Sequence, residues 1–174
     1  MSSVTLNTQG LQSLKRKLKT AEKARVDVGV FASHDARDDG ESNLEIANKM
    51  EFGSAEVSSP SDEQARARGR MGKHRPTWGG NPARSFVGMP ITTELPKVVR
   101  GESGELAAAF VADGAKAMLE RVGFMGEAVI QDAFDTGGFG TWPANSEATV
   151  QWKDSDKPLI DSKQLRGAIS SRVK

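Results

Sequence analysis

Cysteine is absent from this sequence, and that removes three chemistries at once: disulfide staples, thiolate nucleophiles, and zinc or iron–sulfur sites held by cysteine. Histidine is scarce. His34 and His74 are the only two, and both lie in polar stretches rather than in periodic segments that would hold them rigid. A Ser–His pair needs a base within reach of its nucleophile, and neither residue has the setting for it. The chain also has no GxSxG, GxxxxGK[ST], HExxH or DxDxDG pattern. Glu51, Glu120 and Asp132 are available for a paired-carboxylate site, but ordinary surface charge explains each. The expectation is a protein that is not an enzyme, with no cofactor and no metal.

A surplus of one charge is missing too. The 24 Lys and Arg stand against 23 Asp and Glu, a formal net charge of +1. That balance argues against wholesale binding of nucleic acid or acidic membrane, and any such role falls to a local patch. No run approaches the ~18 apolar residues of a membrane span, and the first ten residues lack the charged-then-apolar pattern of a signal peptide. The expectation is a soluble chain with no membrane partner, made inside the cell. Its 174 residues suit one domain, 1–174, and the 18 glycines point to loops.

The most organised stretch runs from about Leu106 to Phe134. Val111, Ala115, Met118, Val122, Met125 and Val129 recur at gaps of four and three, one side of an α-helix. Asp113, Lys116, Glu120, Arg121, Glu127 and Gln131 occupy the rest of the circumference. At ~1.5 Å per residue such a helix spans about 40 Å. Gly114, Gly123 and Gly126 weaken it, which predicts a bend or break near Val122-Gly123.

Earlier in the chain, Asn7 or Thr8 is placed to cap a helix carrying Leu11, Leu14 and Leu18, with Lys15, Arg16, Lys17, Lys19 and Lys23 on its other face. Val26, Val28 and Val30 alternate with polar or small residues, which predicts a half-buried strand. His34 to Glu41 reads as a solvated loop. Ser42 or Asn43 then caps a short helix bearing Leu44, Ile46, Ala47 and Met50, which Gly53 ends. After the long helix, Asp135 to Gly140 is a stop. Ser146 opens a turn with Thr149 and Trp152. Leu159-Ile160 forms an apolar plug, and Asp161 with Gln164 reads as the capping box of a final helix carrying Leu165 and Ile169.

Between these, 54–81 changes character. Aliphatic residues nearly vanish, and the window Gln64 to Arg84 holds no acid while carrying Arg66, Arg68, Arg70, Lys73, Arg75 and Arg84 around a lone Trp78. Such a stretch is expected as a long, mobile basic loop or arm. Three readings stay open for it. It is a solvated loop, an arm that orders on a neighbouring subunit through those seven residues, or a contact with nucleic-acid backbone.

Two sets of residues, in order, carry a family likeness. Glu51-Phe52-Gly53 is followed after an interval by Pro82-Ala83-Arg84-Ser85-Phe86. Gly140-Thr141-Trp142-Pro143 is followed by Ser146, Thr149, Lys153, Lys157-Pro158-Leu159-Ile160-Asp161, Leu165-Arg166 and Ile169. With the glycine-interrupted helix between them, the chain from about Val26 to Val173 resembles the tail-completion and head–tail joining proteins of tailed bacteriophages, in the phage Mu-type virion morphogenesis and HK97-type tail-component groups. The chain departs from the family pattern at Ser162-Lys163, where the family usually has Thr-Gly, at Ser85, often a second proline, and in a longer interval from Gly53 to Pro82.

The resemblance implies a structural virion protein of the neck, made in the bacterial host cytoplasm. Several copies would form a ring between the head connector and the tail tube. Its partners would be itself, the portal-side neck proteins and the tail terminator or tail tube proteins, with genomic DNA passing through the channel without sequence-specific binding. A tail terminator ring capping the tube is one alternative. A nucleic-acid-binding protein using the 64–84 arm is another, and a small hydrolase with an unrecognised site a third. The fold expected is α+β. A small, mostly antiparallel sheet would join the 26–31 strand to the segment near 84–89, packed by one long bent helix and shorter terminal helices. Val28, Val30, Phe52, Phe86, Met118, Val122, Val129, Leu159 and Leu165 are expected in the core, with Trp142 beside them.

Overall fold

The computed structural model describes residues 8–37, 40–75 and 77–174, without the side chains of His34 and Trp78. Asn7, one of the two proposed caps, and Asp38 and Asp39 of the polar loop lie outside the described residues. The architecture is mixed helix and sheet: two small antiparallel pairs of strands, and a long helix packed against one of them.

The alternating valines form β1 (Val26–Val30) as expected. Its partner is not the segment near 84–89. It is β4 (Ile169–Val173), in antiparallel register with Val26 opposite Val173 and Val30 opposite Ile169. Residues 84–87 are irregular and lead into helix α4 (Gly88–Thr93), which α5 (Leu95–Gly101) follows. The amide protons of Phe86, Val87 and Gly88 are donated to the Glu51 carboxylate, so they are not available to a strand ladder.

The expected final helix shrinks to a single turn, α9 (Gln164–Gly167), before β4 begins. Asp161 does not cap it, because its carboxylate pairs with Arg68 and Arg70. Lys163 stands at the N-cap position instead, with φ 64°. This is where the resembled family carries glycine, the residue that most easily adopts that conformation.

The long helical stretch is broken, but at Gly114. Helix α6 (Ser103–Asp113) meets α7 (Ala115–Thr136) through this one residue at φ 91° and ψ −171°, a conformation suited to glycine. Gly123 and Gly126 lie inside α7 without interrupting it. A Cβ at 123 would stand 2.6 Å from Ser171 Oγ and 3.1 Å from Val26 Cγ2, and one at 126 would stand 3.0 Å from Val28 Cγ2. These two glycines give up helix propensity so that α7 can lie close against β1 and β4. The buried stripe keeps Ala115 and Val129 of the predicted seam but is carried mainly by Gly123, Gly126, Ile130, Ala133 and Phe134 beside it, while Val111 is 63% exposed.

The core gathers Phe86, Ile130, Phe134, Leu165 and Ile169, with Val28, Val30, Ile46, Met50, Trp142, Leu159 and Ile160 packed around them. Phe86 and Phe134 have ring centroids 5.4 Å apart, and Trp142 meets Phe134 edge-on at 5.8 Å. Val129 is buried as expected, while Met118 and Val122 are half-buried. Phe52 is 76% exposed. In α2 (Asn43–Phe52) the packed face is Ile46, Ala47 and Met50, and two residues on from Met50 the helix has turned about 200° away from it.

The caps read from sequence at Ser42 and Ser146 are present. Each hydroxyl accepts from the amide three residues on, in α2 and in α8 (Glu147–Lys153) respectively. Gly137 stops α7 in the left-handed conformation. Helix α1 (Gln9–Ala21) buries no residue. Leu11, Leu14 and Leu18 are exposed, Thr8 makes no side-chain cap, and Lys17 reaches the C-terminal end of α6, donating to Ala112 O at 2.9 Å.

The 54–81 stretch, expected as a long, mobile loop or arm, contains β2 (Ser54–Ser58), α3 (Asp62–Ala67) and β3 (Trp78–Asn81). β2 and β3 pair antiparallel, with a bulge between Ser54 and Val57. A full capping box opens α3. Ser61 Oγ accepts from Gln64 N at 3.1 Å, and Gln64 Oε1 accepts from Ser61 N at 2.7 Å. Ala65 is wholly buried.

Candidate functional site

The segments that carry the family likeness converge. Glu51 accepts from the amides of Phe86 at 2.8 Å, Val87 at 3.0 Å and Gly88 at 2.9 Å, and from the Ser85 hydroxyl. A carboxylate is favoured there because these amides begin α4 and carry its positive dipole end. Arg84 N donates to Met50 O at 2.7 Å, which joins the two segments along the backbone. The later segment enters through the Trp142 indole, which donates to Ser85 O at 3.2 Å. Arg84 completes the link, donating to Pro143 O at 2.9 Å and Ala144 O at 3.0 Å.

Behind this joint lies a cavity of about 230 Å³. Ile46 and Met50 of α2, Trp152 and Lys153 of α8, Leu159 and Leu165 line it, together with Arg68, Arg84, Asp161, Glu41 and Lys49. Asp161 lies between Arg68 Nε at 3.1 Å and Arg70 NH1 at 2.9 Å, all three largely withdrawn from solvent. Arg70 also donates to Lys153 O at 3.0 Å and stands over the Trp152 ring at 5.6 Å. Arg84 is 5% exposed, and burial pushes its pKa below the ordinary arginine value. Lys153 is pushed down to about 8. Burial is the largest cause, Asp161 opposes it, and the nearby charges of Arg84, Arg70 and Arg68 add to it.

Of the seven residues proposed for partner contact, three gather here: Arg68, Arg70 and Arg84. Lys73 pairs with Asp154 at 2.6 Å, and Arg75 pairs with Asp62. Arg66 is exposed at the end of α3 and makes no ion pair among the described residues. Trp78 opens β3, and its side chain is outside the described residues. Sequence reasoning missed Asp161 as the anion between two arginines, because it fitted a cap. It missed Glu51 and Lys153 as well. A carboxylate that gathers amides some 35 positions away leaves no local signal.

Among the described residues no group of three His, Asp or Glu is arranged to hold a metal ion, and no helix is long and apolar enough to cross a membrane. No protein-family model, no curated protein and no solved structure matches the chain.

Proposed function

We propose that this chain is a structural protein of a tailed-phage neck, a tail-completion or head–tail joining component working by contact in a ring between head connector and tail tube. What carries the reading is the convergence just described: residues 51–53, 82–86 and 140–161, which bear the family likeness, build one joint around Glu51 and Arg84. The left-handed Lys163, at the family's glycine position, supports it further.

Such a role rests on surface rather than on bond chemistry, and this chain has surface to spare. It exposes 10760 Å², whereas a compact monomer of its mass exposes about 8,300 Å². Leu11, Leu14, Leu18, Val111 and Phe124 are among the large apolar residues left on it. Heterologous contacts that close a ring need on the order of 1,200 Å² each. The nucleic-acid reading loses support, because Lys73 and Arg75 each pair with a carboxylate of the chain itself and Arg68 and Arg70 are turned inward onto a shared one, Asp161.

The deciding experiment is electron microscopy of a lysate from phage carrying a stop codon in this gene. Filled heads and complete tails lying apart are expected. Tails of irregular length would favour the terminator role, and normal infectious particles would overturn both.

A further inference from the structure

The cavity contains a charge imbalance that the joint does not explain. Arg68, Arg84 and Lys153 line it with Arg70 close behind, and the acids among them are Asp161 and Glu41. Lys49 also lines it, but is paired outward with Glu45 and Glu56 at 3.1 Å each. Asp161 is shared between two guanidiniums, and among the described residues no carboxylate pairs with Arg84. Its partners are two backbone carbonyls, which satisfy donors but do not neutralise charge. A guanidinium this deeply buried without a counter-ion is costly to keep.

A second unmet group points the same way. Trp152 is 2% exposed, and its indole N–H is buried with no hydrogen-bond partner. Both unmet demands belong to donors or cations, so the missing partner is an acceptor carrying negative charge. Ile46, Met50, Leu159 and Leu165 give the lining one aliphatic wall, beside the polar Ser58, Ser59, Gln64, Asn81, Asn145 and Thr149. The volume, about 230 Å³, falls just below the ~300–1,000 Å³ of pockets for drug-sized ligands. We propose that this cavity binds a dianionic oxyanion of the sulfate or phosphate class carried on an apolar stem. Arg84 and the Trp152 N–H would meet the oxyanion, and the aliphatic wall would meet the stem. The site stands whether or not the chain joins heads to tails.

Binding also couples to protonation. Lys153 faces Asp161, Arg84, Arg70 and Arg68, with Glu41 and Lys49 on the same lining. A bound dianion favours its charged form, so affinity for a ligand of constant charge falls as pH climbs past about 8.

The test follows the indole N–H of Trp152 by NMR in the full-length chain, titrated with sulfate and separately with phenyl phosphate. Sulfate keeps its charge across the pH range used. Trp142, already bonded to Ser85 O, serves as the internal control. The proposal expects a saturating shift confined to Trp152, and phenyl phosphate binding several-fold more tightly than sulfate. It expects sulfate affinity to fall about tenfold in Lys153→Gln or on moving from pH 7 to 9.5, the worth of one nearby positive charge in a partly desolvated site. Arg84→Gln should abolish binding, and Lys153→Gln serves if that variant does not fold. A non-saturating drift of all three indoles, or unchanged sulfate affinity in Lys153→Gln and at pH 9.5, would overturn the site. Equal affinity for sulfate and phenyl phosphate would overturn the apolar stem.

Discussion

Two sides of this molecule are held together by different forces. On one side α7 lies on β1 and β4 through side chains that are small or apolar, and two glycines set how closely they approach. On the other, residues 50–88 and 140–161 are tied by charged groups reaching backbone or one another: Glu51 on three amides, Arg84 on two carbonyls, Asp161 between two arginines. Apolar packing is non-directional and adds up over area. The charged ties are directional, and each fails if one partner is lost. The first kind therefore suits a scaffold, and the second suits a joint whose geometry matters.

The largest expected effect tests the apolar side. Phe134→Ala removes a ring that contacts both Phe86 and Trp142, and should cost about 3–5 kcal/mol in urea unfolding. Asp161→Asn tests the charged side and should cost on the order of 2 kcal/mol, because it leaves Arg68 and Arg70 facing a neutral amide. Equal losses from the two variants would erase the distinction drawn here.

The smallest effect concerns pH. The Lys153 pKa is lower in the folded chain than the 10.5 of an ordinary lysine. Between about 8 and 10.5 the unfolded state therefore holds the extra proton, and this residue's contribution to stability rises with pH across that window. Comparing the pH profiles of unfolding for the native chain and Lys153→Gln isolates the slope. A profile unchanged by the substitution would mean the ammonium is solvated after all.

The same division separates what the sequence makes legible from what it hides. β1, the Ser42 and Ser146 caps and the Gly137 stop are local devices, spelled within a few residues. Gly114 and Gly123 look alike in sequence, and only the strands lying against α7 distinguish a break from a close approach. β4 was hidden because Leu165 and Ile169 are spaced as a helix would space them, and only its pairing with β1 overrides that pattern. In 54–81 the absence of aliphatic residues suggested a free arm. Its elements are held by a capping box and by ion pairs to Asp161 and Asp154, partners more than 80 positions distant. At the site, Arg68, Arg70 and Arg84 were legible as a basic cluster, but not the cavity that Arg68 and Arg84 line.

The pairing of β1 with β4 also sets a timetable for synthesis. Val26 to Val30 leave the ribosome early, yet the residues that complete their hydrogen bonds are Ile169 to Val173. At about 5–20 residues per second, the first strand waits on the order of ten seconds with its edge unpaired. Until then the helix that will cover it has nothing flat to lie on. The fold is therefore completed only after residues 169–173 have been made, and a ribosome that stalls before them leaves a strand edge open to any neighbouring chain that can pair with it.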